Sequence, residues 1–285
     1  MDINFVKLHT CGKDYILLDG FKYTLDEKTN LQNLSESITD RHHGVGAYGF
    51  ILLYPGQNES VAARMFNNHG VELEPDPDGL RCLGRYAYDA GLLGDSQCNI
   101  ETNTKTLQLA MIDGQTIAVK LGPPLFSHNL DEITEKPDLN IDQSTRLNNR
   151  LYAFTPLHLS CFHAVLYTPA HQFNLTTLGK RLARHPGFQS SPSVELVRVY
   201  SRDEVRIRTW HPFLGETPSS GAGSGAAVVA SVIHGFADRD VLVHNRGGDL
   251  FVQWVEDPNM VMIAGSVEYS FTGTFYWEEE GSTPV

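Results

Sequence analysis

Twice along this chain, a series of short β-type runs leads into a tight glycine-containing turn and directly into the start of an apolar helix. The turns are Asp76-Pro77-Asp78-Gly79 and Ser220-Gly221-Ala222-Gly223. Identity between the halves is too low to name a repeat from the residues alone. The shared order nonetheless points to two similar domains of mixed α/β class. Length agrees, since 285 residues suit one large domain or two of average size.

The expected strands are short runs bounded by Gly, Asn, Asp or Pro: residues 4–9, 15–19, 50–54 and 62–67, then 106–112 and 116–121. The first helix is expected from Gly79, with Leu80, Leu83, Ala87 and Ala90 on one face and Gly91 as its stop. From Pro123 to Asn149 the chain is polar and weakly periodic, which reads as a crossover and insertion. The pattern then restarts with strands at 150–156 and 164–167, a helix at 175–184 and a hairpin of 194–200 with 205–210. An apolar helix at 223–234 and strands at 241–244, 250–255 and 261–264 complete it. The domain division expected is residues 1–122 with 266–285, and residues 123–265.

A net charge of −12 repels phosphate backbones and anionic headgroups, so neither nucleic acid nor membrane is an expected partner. No apolar run approaches the roughly 18 residues that span a bilayer. The start, Met1-Asp2-Ile3-Asn4-Phe5, has no basic or apolar leader, so the chain reads as cytoplasmic and the sequons at Asn33, Asn58 and Asn174 as chance. The four cysteines, Cys11, Cys82, Cys98 and Cys161, form no CxxC pair, which argues against disulfides and zinc. His42, His43 and His69 read as loop histidines, and no metal is expected.

Several segments carry a resemblance in order and near-matching spacing. His9-Thr10-Cys11-Gly12-Lys13-Asp14-Tyr15, Gly44-Val45-Gly46-Ala47-Tyr48-Gly49, Phe66-Asn67-Asn68-His69-Gly70 and Gly79-Leu80-Arg81-Cys82 lie in the first half. Gly215-Glu216-Thr217 with Gly221-Ala222-Gly223, then Asn245-Arg246-Gly247-Gly248-Asp249 and Gly265-Ser266-Val267, lie in the second. Together they resemble the diaminopimelate epimerase family from about Phe5 to Phe275. That resemblance implies two similar domains, each a mixed sheet wrapped around a central helix, with the active site in the cleft between them.

The family racemises a carbon beside a carboxylate without a cofactor. So weak a carbon acid needs a base, an acid, and stabilisation of the charge that flows into the carboxylate. Two thiols at helix N-termini serve the family, because the helix end lowers the thiol pKa and its N–H groups bind the carboxylate. Here those positions hold Asp76 and Ser220, so symmetric two-thiol chemistry is excluded. Cys82 matches a helix residue and reads as a buried small hydrophobe. Of the family's substrate-binding positions Asn67 is kept, whereas Lys13, Cys161 and Ser193 stand where asparagines are usual. His211-Pro212 replaces a Glu-Arg pair whose arginine would hold the distal carboxylate of diaminopimelate.

Asp76 is the first choice for a general acid or base, its pKa raised by burial in the cleft, with Ser220 and His163 as further catalytic candidates. Asn67, Pro77, Asp78, Gly79, Gly221, Ala222, Gly223, Lys13, Tyr48, Cys161, Ser193 and His211 are the expected binding positions. Gly221-Ala222-Gly223-Ser224-Gly225 lacks the preceding strand and following acid of a dinucleotide loop. The leading expectation is a cofactor-independent isomerase of a small carboxylate-bearing, amino-acid-like metabolite, distinct from diaminopimelate epimerase itself. A phenazine-pathway isomerase of the same architecture moves a proton with a carboxylate, and the analogy is one of fold. A cyclase, lyase or pericyclic catalyst and a non-catalytic ligand binder are the alternatives. The partner expected is a small-molecule carboxylate, and the sequence leaves room for a homodimer.

Overall fold

The computed structural model describes residues 1–23, 25, 29–57, 61–93, 97–126, 142–147, 149–168, 174–185, 188 and 190–278. The sequon at Asn58 and residues 127–141 of the expected insertion lie outside them. The chain divides into two compact units, residues 1–119 with 266–285 and residues 120–265.

The first unit holds β1 (Asp2–Thr10), β2 (Lys13–Asp19), α1 (Leu31–Thr39), β3 (Gly49–Pro55), β4 (Val61–Asn67), β5 (Glu72–Leu73) and α2 (Pro77–Asp89). β6 (Gln97–Glu101), β7 (Thr106–Asp113), β8 (Thr116–Leu121) and the C-terminal β18 (Glu268–Tyr276) follow. β1 runs antiparallel to both β18 and β2. β2/β3 is parallel, β3/β4 antiparallel, β4/β6 parallel and β6/β7 antiparallel. Period-two alternation sends Ile16 and Leu18 of β2 to one face, where they join Phe50, Phe66 and Leu34 and Ile38 of α1 in a buried cluster. Tyr15 takes the other face, against the first turn of α2 at Gly79.

The second unit contains β9 (Gln143–Leu147), β10 (Arg150–Leu159), β11 (Cys161–Tyr167), α3 (Leu175–Leu182), β12 (Ser193–Val199), β13 (Glu204–His211) and β14 (Gly215–Thr217). α4 (Gly221–Ile233), β15 (Asp240–Asn245), β16 (Gly248–Val255) and β17 (Met260–Ser266) complete it. Its pairings repeat those of the first unit. β10/β11 is antiparallel, β11/β12 parallel, β12/β13 antiparallel, β13/β15 parallel and β15/β16 antiparallel. α3 lies on one face with Phe154, Val194, Leu196 and Trp210. Gly179 of α3 is required there, because a Cβ would overlap the Trp210 ring. α4 is buried on every side from Gly221 to Ser231, as an all-round apolar helix must be, and strands β10 to β13 and β16 enclose it.

Each unit is thus a mostly stranded sheet holding one enclosed helix and one outer helix, and the expected α/β architecture is present. No helix among the described residues is long and apolar enough to cross a membrane.

Candidate functional site

Chemistry-bearing side chains gather at the start of the enclosed helix in each unit. In the first, Asp76 adopts extended backbone and caps α2, its Oδ1 accepting the Gly79 N–H at 2.6 Å. The Tyr15 hydroxyl donates to both carboxylate oxygens, at 2.9 and 3.0 Å, and the Lys13 ammonium lies 3.5 Å from Oδ2. The Asp76 side chain is 28% exposed. The burial expected for it is therefore incomplete, because a helix-capping residue at a strand–helix junction faces outward.

Asp78, one turn inside, is used structurally. It accepts from Lys13 at 2.7 Å and from Arg81 at 2.6 Å, with Lys13, Asp78 and Arg81 all buried. Burial opposes the Asp78 charge, but the Lys13 and Arg81 cations outweigh it and hold its carboxyl below the ordinary range. Burial likewise opposes the Lys13 ammonium, and the Asp78 and Asp76 carboxylates raise it above the usual lysine value. Lys13 also sits over the Tyr48 ring, 4.6 Å from its centroid, and burial pushes the Tyr48 hydroxyl up to about 12.

In the second unit Ser220 caps α4, its Oγ accepting the Gly223 N–H at 3.0 Å. Next to it, the Ser219 hydroxyl is 1% exposed and has no hydrogen-bond partner among the described residues. On β11, His163 is fully buried, with Nδ1 3.0 Å from Glu195 Oε1 and Nε2 3.1 Å from the Leu159 carbonyl. Cys161 Sγ lies 3.4 Å from the same Nε2 and is exposed. Glu195 also accepts from the Thr209 hydroxyl at 2.5 Å. A Cβ on Gly223 would fall 2.6 Å from its carboxylate, so Glu195 packs directly on the first turn of α4.

The two clusters occupy corresponding strand positions in their own units. Lys13 and Tyr15 are the first and third residues of β2, and Cys161 and His163 are the first and third of β11. Tyr15 pairs across the parallel ladder with Gly49, as His163 does with Ser193.

Asp76, Pro77, Asp78, Gly79, Lys13 and Tyr48 therefore come together in one unit, and Ser220, Gly221, Ala222, Gly223, Cys161, His163 and Ser193 share the other. Several binding expectations meet a physical obstacle. Pro77 has no N–H to offer, and the Gly79 N–H is already taken by Asp76. The side chain of Asp78 is committed to its two cations. The start of α2, carrying Asp76 and Asp78, thus makes a poor anion cradle, contrary to expectation. Asn67 Oδ1 caps the turn that follows it, accepting from the His69 and Val71 N–H groups at 2.9 and 3.0 Å. His211 ends β13, where Nδ1 accepts the Phe213 N–H at 3.3 Å. Cys82 is fully buried.

Sequence reasoning missed Tyr15, Arg81, Glu195 and Thr209. Glu195 carried a usable signal, since an acid inside the apolar run Val194-Glu195-Leu196-Val197 must find a partner when buried.

A family model described as diaminopimelate epimerase matches residues 163–270. The diaminopimelate epimerase of Heliobacterium modesticaldum is 30% identical over 277 residues, covering 95% of this chain and 99% of that protein. That of Bacillus cereus is 33% identical over 285 residues, covering 97% and 98%. Among solved structures, a hydroxyproline epimerase from Agrobacterium vitis superposes with TM-score 0.67 at 14% identity, over 96% of this chain and 92% of that one. A phenazine biosynthesis protein of the PhzF family from Enterococcus faecalis gives 0.66 at 13%, over 97% and 100%. These two speak for the fold alone. The loss of both thiols and of the arginine set this chain apart from diaminopimelate epimerase in the sequence reading. Relatives of that name, similar along both units rather than in isolated motifs, overturn that separation. The chain belongs to the diaminopimelate epimerase family.

Proposed function

We propose that this chain is an amino-acid epimerase, diaminopimelate epimerase or a close relative, that moves a Cα proton without a cofactor and without a thiol at either helix start. The names of its full-length relatives support the reaction class and make diaminopimelate the first substrate to test. The observation that carries the chemistry is Asp76. It is a partly exposed carboxylate fixed from three sides, by the Tyr15 hydroxyl, the Gly79 N–H and the nearby Lys13 ammonium. Held so, both oxygens have donors and the carboxylate keeps one orientation while its side chain stays partly exposed, and a fixed, accessible carboxylate is what a general base requires.

Taken by itself, the second unit carries no acid in the first turn of α4, and that helix end, with the unpartnered Ser219 hydroxyl beside it, favours an anionic group although Ser220 Oγ already holds the Gly223 N–H.

Asp76→Asn tests the assignment, because the amide oxygen can still cap Gly79 while the base is lost. Chromatographic measurement of stereoisomer interconversion, starting with LL- and meso-diaminopimelate, is expected to show kcat reduced by about 10²–10⁴-fold. Turnover by the folded variant at the wild-type rate would rule Asp76 out.

A further inference from the structure

On the sheet face turned away from α4, the second unit carries a line of charge. Arg198 of β12 stands directly opposite Arg206 of β13, Arg206 beside His244 of β15, and His244 opposite Asp249 of β16. Glu204, two residues before Arg206 on β13, projects from the same face. Tyr200, Glu204, Arg206, His244, Asn245 and Asp249 line an open cavity of about 430 Å³, wholly within this unit.

The charges around this cavity are unevenly matched. His244 is held at both ring nitrogens, Nδ1 2.8 Å from Asp249 Oδ1 and Nε2 2.9 Å from Glu204 Oε1. Ionised carboxylates only accept, so the ring between them donates twice, as an imidazolium. The Asp249 hydrogen bond, joined by that of Glu204, raises the His244 pKa above the ordinary histidine value despite some desolvation. Arg198 lies over the Tyr200 ring, 5.0 Å from its centroid. Arg206 is exposed, and its guanidinium has no partner among the described residues. Nor has Oε2 of Glu204, whose other oxygen turns to His244 rather than to Arg206. Arg206 therefore stands between two further cations, and like charges side by side on neighbouring strands are unfavourable unless an anion lies among them.

We propose that this cavity is a second ligand site, for the zwitterion of an α-amino acid, with the carboxylate on Arg206 and the ammonium on Glu204. The balance of charge favours a zwitterion over a simple anion. Two cations, Arg206 and His244, and two carboxylates, Glu204 and Asp249, line the cavity, so a ligand with one charge of each sign keeps it neutral. A guanidinium offers parallel N–H groups to a carboxylate, whereas an ammonium needs only acceptors. Residues two apart on a strand project from it roughly 6.6 Å apart. Charge-assisted bonds of about 2.8 Å at each end let a unit as short as carboxylate–Cα–ammonium span that distance. The site goes beyond the epimerase reading, since it lies away from either helix start and binding there needs no turnover. It is nonetheless continuous with α4: Asn245 on its wall donates to Ser224 Oγ at 3.2 Å, and Ser224 Oγ donates to the Ser220 carbonyl at 2.8 Å.

NMR of the whole protein labelled at histidine Cε1 reads the cavity directly, with the His244 signal assigned through His244→Asn. The standard L-α-amino acids and meso-diaminopimelate are each titrated to about 10 mM, enough to saturate a site of roughly 1 mM affinity. At least one is expected to shift the His244 signal saturably. Arg206→Ala and Glu204→Gln are each expected to weaken that affinity by about tenfold or more, as is removal of the amino group from the ligand. Both variants keep the fold intact: Arg206 is exposed, and the amide oxygen introduced by Glu204→Gln still accepts from His244. A His244 signal unmoved by every compound overturns the proposal, even where one of them binds elsewhere on the protein. So does an affinity that survives Arg206→Ala. A deaminated ligand that binds as tightly as its amino acid overturns it as well, by showing a simple anion site.

Discussion

At the residue scale, the central contrast is between two acids two positions apart. Asp76 is partly open and touched by donors it can share with a ligand. Asp78 is enclosed and neutralised by Lys13 and Arg81. Removing a single partner from such a buried network leaves uncompensated charge, so Asp78→Asn is expected to cost about 3–5 kcal/mol by denaturant unfolding. A loss below about 1 kcal/mol would show that the network is not structural. The same carboxyl predicts acid sensitivity. Its folded pKa lies below its unfolded one, so its contribution is fully present above about pH 4 and is lost as the pH falls through the depressed folded value. Wild type is therefore expected to lose stability below pH 4 more steeply than Asp78→Asn, and parallel pH–stability curves for the two proteins would contradict this. Little of this division was legible in the sequence. Asp76-Pro77-Asp78-Gly79 announces a helix start, but which aspartate is buried depends on Lys13 and Arg81 meeting it in three dimensions.

At the scale of elements, the strands with alternating or continuous apolar runs and the three helices with clear apolar faces stood out in the chain. The ones that did not are instructive. α1 carries Leu31, Leu34 and Ile38 on one face, yet Asn33, Ser35, Ser37 and Thr39 are weak helix formers that compete for the backbone. It forms because Asn30 caps it and the sheet buries its apolar stripe. β18 is exposed along most of its length and has no one-sided pattern to betray it, and its pairing with β1 defines it. The start of α4 gives an element-scale prediction. Gly223→Ala raises helix propensity by about 1 kcal/mol, but the new Cβ must displace the Glu195 carboxylate from His163. The expected outcome is a folded protein less stable than wild type by about 1–3 kcal/mol in denaturant unfolding, because the buried Glu195 and His163 lose each other. Stability equal to or above that of wild type would mean that Glu195 does not hold His163 in this way.

At the scale of the whole molecule, the recurrence of strands, turn and apolar helix was visible in the sequence, and the strand pairings show it to be one plan used twice. Function was less accessible, because the plan is shared while the reactive groups are not. Lys13 and Tyr15 meet one helix start at Asp76, whereas Glu195, the partner of His163, packs on the other. The reading that separated this chain from diaminopimelate epimerase weighed only the exchanged residues and had no measure of how much of both units had been kept. The central claim, that the chain moves the Cα proton of an amino acid, is tested most directly by proton NMR in D₂O with LL- and meso-diaminopimelate and the purified wild-type protein. Loss of the Cα–H signal accompanied by interconversion of the two isomers is the predicted result. An unchanged spectrum from folded protein, with both isomers and with a panel of other α-amino acids, would contradict the account.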